Sequence, residues 1–272
     1  MTPQGPDAAM DPVAADDIVL PFQIEGMDVR GRYARLGASV DTILHRHDYP
    51  ESASRMLGEA IAITALLGCA LKFDGIFSFQ TSSKGPVSLM VVDFATPGSL
   101  RGYARFDPEA VWTEEEAGNY DVPSLLGDGH LALTIDQGAN TERYQGIVAL
   151  EGTTLAESVN GYFRTSEQIP TEIVAMATRS GDGAGGGGWR AGAALIQHLP
   201  ARSPQSGGPA FLDEQEEESW TRALTLFQTV SDDELTDPSL APGQLIYRLF
   251  HEGGVRVFET RPMIAKCRCS QD

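Results

Sequence analysis

Two cysteines one residue apart, Cys267 and Cys269, lie in the segment AKCRCSQD, and the rest of the chain holds one more, Cys69. Lys266 and Arg268 flank the pair. A neighbouring cation favours the thiolate, the form that binds metals and attacks disulfides. An exposed pair of this kind serves as half a metal site or as a redox element. A structural zinc takes four ligands, so two thiols do not close a site. The local alternative is a tail with incidental cysteines. Cys69 falls within an apolar run and reads as a small core hydrophobe.

Three other stretches carry chemistry-bearing residues. HRHDYP offers His45, His47 and Asp48 as metal ligands, but no further histidine follows at useful spacing. A turn before Pro50 explains it as well. GDGAGGGGWR has the glycines of a phosphate loop, yet lacks the Gly-Lys-Ser/Thr ending and opens no helix, so a hairpin or flexible loop accounts for it. Asp232 and Asp233 read as a solvated helix start, and no G-x-S-x-G elbow occurs.

The elements that position these residues follow from hydropathy patterning. IVLPFQIE and VRGRYARL read as strands around Gly26, with Val29 and Tyr33 on one face and Arg30 and Arg32 on the other. A helix is expected from Pro50 to Leu71. Leu57, Ile61, Thr64 and Gly68 line one face, and Ala62, Ile63, Leu66 and Ala70 make the others apolar too. A helix apolar all round must be covered all round, so sheet is expected on more than one side. IFSFQTS, VSLMVVDF, LRGYARF, HLALTID, YQGIVAL, TEIVAMATR and RAGAALIQHL read as strands, with Val87 to Val92 apolar on both faces. TTLAESVNGYFRTSEQIP reads as a helix ending before Pro170. This is an α+β pattern.

After Pro200 the character changes. ARSPQSGGP is linker-like, and DEQEEESWTRALTLFQTV is an amphipathic helix capped by Asp213 with Glu216 three residues on. Trp220, Leu224, Phe227 and Val230 form its apolar stripe. PGQLIYRLFHE reads as a shorter helix and VRVFET as a brief strand.

Lysine and arginine total 20 against 38 aspartates and glutamates, a net charge of −18. Phosphate repulsion then opposes nucleic-acid binding, and the same sign opposes an anionic membrane surface. The first residues have no apolar signal-peptide core, and the run Ala60 to Leu71 is too short to span a bilayer. A soluble, cytoplasmic protein is expected.

HDYP, LKFDG, ERYQGIVALEG, YFRTSEQIPT, QHLP, IYRLFHE and KCRC occur in that order. The ordered set resembles the bacterial heat-shock protein 33 family over about residues 18–270. The resemblance implies redox-regulated holdase chaperones that use no ATP, and not enzymes. It implies a four-cysteine zinc switch, built from a C-x-C pair and a C-x-x-C pair downstream. Oxidation of such a switch forms disulfides, releases zinc and exposes a client surface. The sequence carries the first pair, Cys267 and Cys269, and no second, so a zinc bound by this chain alone is not expected.

The resemblance and the patterning divide the chain into a disordered tail (1–16), an α+β core (17–200) with its apolar helix between sheets, a helical linker (201–255) and the start of a zinc and redox switch (256–272). Unfolded proteins are the implied partners, bound by Trp220, Leu224, Phe227 and Val230, and a homodimer is an assembly that the family allows. Two rival readings are an enzyme using the glycine-rich loop for a nucleotide or other ligand, and a plain protein-interaction module.

Overall fold

A computed structural model describes residues 16–138, 141–180, 187–199 and 214–267. The chain begins with two antiparallel strands, β1 (Ile18–Ile24) and β2 (Val29–Leu36), then a short helix α1 (Ala38–Leu44) and the long helix α2 (Glu51–Ala70). β3 (Ile76–Ser83), β4 (Val87–Ala95) and β5 (Ser99–Phe106) form a meander. Helices α3 (Pro108–Glu116) and α4 (Val122–Leu125) lead to β6 (Gly129–Asp136) and β7 (Tyr144–Ala149). Helix α5 (Leu155–Tyr162) precedes the pair β8 (Thr171–Arg179) and β9 (Trp189–His198). Three helices follow, α6 (Glu214–Phe227), α7 (Asp232–Thr236) and α8 (Pro242–Phe250). The described chain closes with β10 (Val255–Val257), β11 (Arg261–Pro262) and β12 (Ile264–Ala265).

These strands make two six-stranded sheets. The first runs β10-β1-β2-β9-β8, with β11 also on β1, and the second runs β12-β5-β4-β3-β6-β7. Helix α2 lies between them, as its all-round apolar sequence requires, touching β2, β8 and β9 on one side and β3, β4 and β5 on the other. Two glycines set how closely it sits. A Cβ on Gly58 would meet the Ala177 Cβ of β8 at 2.6 Å, and one on Gly68 would meet the Phe94 ring of β4 at 2.4 Å. By length and hydropathy α2 passes the test for a membrane span, but 83% of that stretch is buried in the molecule, so it is a core helix.

The first sheet is apolar on both faces, and strand alternation separates two cores. Val19, Ala34, Leu36, Ala191, Ala193 and Leu195 face α2. Leu20, Phe22, Ile24, Tyr33, Ala194 and Ile196 face the other way, into a second core completed by α6, α7 and α8. The molecule is thus layered as sheet, helix, sheet, helices.

Several expectations are refined. Helix α5 stops at Tyr162 and continues as one π turn over Phe163–Glu167, which ends at Gln168 in a left-handed conformation. Strand β4 is covered unequally: Met90, Val92 and Phe94 are buried on one face, while Leu89 and Val91 on the other stay half-buried. Asp16, the last residue read as tail, is fixed by ion pairs to Arg35 and Arg190. Residues 1–15, most of the glycine-rich loop, the expected cap Asp213 and the linker-like stretch 201–209 lie outside the described residues.

Candidate functional site

The amphipathic helices after residue 213 supply the candidate site. Helix α6 turns Ala223 and Phe227 fully inward, with Trp220, Leu226 and Val230 packed beside them. Leu224 is half-buried and lies outside this packed set, so the inward stripe runs Trp220, Ala223, Phe227, Val230. The correction is one of helical phase: the 220, 223, 227, 230 spacing places an alanine where the larger leucine was expected. Helix α8 adds Leu245, Ile246 and Phe250, started by Pro242 at its first turn. Phe250 stacks on Phe22 with centroids 6.1 Å apart, and Phe22 in turn covers its cross-strand partner Gly31. Trp220 meets His198 edge-on at 6.4 Å.

Direct ionic contacts among these helices and their flanking turn are Arg248–Glu234 at 2.8 Å and Arg222–Glu252 at 2.7 Å. Exposed pairs of this kind contribute at most about 1 kcal/mol. These pairs link the helices to one another and to their flanking turn, and apolar burial links them to the sheet.

A polar cluster that the sequence reading missed fixes the turn between α7 and α8. The Tyr33 hydroxyl donates to the Leu235 carbonyl at 2.7 Å, and Arg190 Nε to that of Thr236 at 2.8 Å. Arg35 Nη1 donates to the carbonyls of Asp237, at 2.6 Å, and Leu240. Asp16 is the carboxylate between the two guanidiniums, 2.8 Å from each. Strand parity carried the signal: Arg35 shares its face with Val29 and Tyr33, whereas Arg30 and Arg32 do not.

The thiol-bearing segment is tied to the core just before Cys267. Strand β11 pairs with β1, and β12 pairs in parallel with β5. The Met263 amide donates to the Asp17 carbonyl at 2.6 Å, and that of Lys266 to Leu100 at 2.9 Å. Cys267 is half-buried, and Cys269 lies outside the described residues. Cys69 is buried in α2, and burial pushes its thiol up to about 11, outweighing Arg261 and Arg32. It is a protonated core thiol at neutral pH.

His45 is held by Asp41, and His47 packs against Tyr49 and Tyr103 at 5.3 and 5.4 Å. Among the described residues no group of three or more His, Cys, Asp and Glu could hold a metal ion. Among the described residues, Cys267 and the buried Cys69 do not assemble a four-ligand zinc site. The described end of the glycine-rich loop is tied to a carboxylate, the Trp189 amide donating to Asp41 at 2.7 Å.

A family model described as Hsp33 protein matches residues 17–272. A 33 kDa chaperonin of Caulobacter vibrioides is 45% identical over 267 residues, covering 98% of this chain and 85% of that protein. One of Ectopseudomonas mendocina is 37% identical over 251 residues, covering 92% and 77%. A crystal structure of the 33 kDa chaperonin (heat shock protein 33 homolog) of Thermotoga maritima superposes with a TM-score of 0.72 at 21% identity, covering 93% of this chain and 81% of that one.

Proposed function

Because the chain belongs to the Hsp33 family of chaperones, we propose that it is an ATP-independent holdase that captures unfolding proteins and keeps them from aggregating. The observation that carries this reading is the second core. Its apolar residues are shared between a sheet face and three helices, which a polar cluster at the end of α7 ties to that sheet. The core around α2 is complete without them. Lifting α6 and α8 bares Trp220, Phe227 and Val230 on the helices, with Leu224 at their margin, and Leu20, Phe22 and Ile24 on the sheet. Such a surface binds extended apolar segments, and the −18 net charge keeps the loaded complex dispersed.

Cys267 and Cys269 are the redox-sensing pair of this reading. A two-electron oxidant such as hydrogen peroxide removes two protons and two electrons from the thiols, joins them as a disulfide and leaves as water. A bridge across one intervening residue is strained and easily reduced. Client capture by the apolar sheet face requires no bound zinc. Oxidation of this chain is expected to change client capture little. A large peroxide-driven gain that disappears in Cys269→Ser would overturn that expectation.

The deciding experiment dilutes a chemically unfolded client into buffer with the reduced protein, without ATP, and follows light scattering. Suppression at near-stoichiometric ratio is the expected result. Failure in both reduced and oxidised buffer would sink the holdase reading.

A further inference from the structure

The polar cluster at the end of α7 is built like a catch. Helix ends leave their last carbonyls without partners inside the helix. Here the carbonyls of Leu235, Thr236, Asp237 and Leu240 are all taken by side chains of the first sheet, one phenol and two guanidiniums. Arg35 is fully buried and Arg190 nearly so, with 0% and 14% of their side chains exposed. A buried charge requires a counter-charge. Among the described residues both arginines find it in the same carboxylate, Asp16, just ahead of β1. At the same place the backbone approach is very close: a Cβ on Gly192 of β9 would meet the Leu235 carbonyl oxygen at 2.1 Å. Helix α7 therefore lies flat on the sheet, on a glycine, with its carbonyl end held by a charged cluster.

The next residue, Asp17, bonds to the thiol-bearing segment. Asp17 accepts from Met263, and its side chain holds the start of α1 through the Gly37 and Ser39 amides, each at 3.0 Å. The Asp16–Asp17 dipeptide thus pairs with the two arginines that hold residues 235–240 and bonds to the strand leading to Cys267.

We propose that Asp16, by neutralising Arg35 and Arg190, closes a clamp on residues 235–240 that holds α6–α8 over the apolar sheet face. The N-terminal end of the fold then governs exposure of that face without any change at the cysteines. This rests on the holdase reading for its consequence, but not for its geometry.

Asp16→Asn keeps the shape and removes the charge, leaving two buried guanidiniums uncompensated. Hydrogen exchange and light scattering are measured together on the full reduced chain. Exchange of residues 220–250 is expected to rise at least about tenfold while α2 stays protected, with stronger suppression of client aggregation. Gly192→Ala, which wedges the same contact apart without touching a charge, is expected to do likewise. Arg222→Gln, which breaks an exposed pair, is expected to do neither. Unchanged exchange over 220–250 in both Asp16→Asn and Gly192→Ala would overturn the clamp, as would loss of protection in α2 in both. Faster exchange over 220–250 without better suppression would uphold the clamp and sink the reading that the bared sheet face captures clients.

Discussion

Glu59 shows how a single half-buried group on the core helix responds to its surroundings. It sits on α2, within electrostatic reach of Asp232 at the start of α7 and of Arg55 one turn back. Burial, reinforced by Asp232, pushes its carboxyl up to about 8, and Arg55 only partly offsets this. A raised pKa means that the fold favours the protonated acid. Its contribution is complete below the ordinary value of 4.5 and is lost as pH rises toward 8. Calorimetry of Glu59→Gln against the parent should show a small Tm difference near the lower value that widens, in favour of the variant, as pH rises toward the upper one and levels off above it. A difference that stays constant with pH would show that Glu59 titrates normally. Glycines give a second contrast at this scale. Gly68→Ala drives a methyl group into the Phe94 ring and is expected to cost about 1–3 kcal/mol. Gly243→Ala, in α8 with nothing within 4 Å, is expected to be neutral or to stabilise by up to about 1 kcal/mol. Denaturant midpoints test both. Legibility at this scale was uneven. Cys69 was readable as a core thiol because its sequence neighbours from Ala65 to Leu71 are apolar. The tie between Asp16, Arg35 and Arg190 was not, since it joins positions 174 apart in sequence and no local pattern encodes it.

Among the elements, the two amphipathic helices set the strength of the docked state. Phe227 is fully buried against the first sheet, so Phe227→Ala is expected to cost about 3–5 kcal/mol of that docking. Leu224 is half-buried at the margin, and Leu224→Ala is expected to cost about 1 kcal/mol or less. Hydrogen exchange over α6 separates the two outcomes, and equal effects would mean that the inward stripe is wrongly phased. The sequence was most informative where one period dominates. Helix α2 was legible, sheets on both sides included, because all its faces are apolar. The phase of α6 was less so, since Leu224 and Ala223 are adjacent and only the sheet decides which faces in. Strands β11 and β12, of two residues each, have no period to read and exist only through their partners. Their pairing with β1 and β5 came from the structure alone.

For the whole molecule, the layering follows from one sheet with two apolar faces, and the α+β class and the helix between sheets were both visible in the patterning. What was not visible is how the C-terminal segment is secured. β10, β11 and β12 hold it by three, two and two residue pairs, at the rims of two different sheets. Tension applied at Cys267 therefore meets no long ladder. It unpicks β12 from β5, then β11 and β10 from β1, and only then reaches α8, α7 and α6. The sheets around α2 feel the load last, through the full ladders of β9 with β2 and β8. Mechanically the protein is a peelable strip on a hard block. Pulled from its C-terminal side, it should lengthen in small, low-force, reversible steps well before the block gives way.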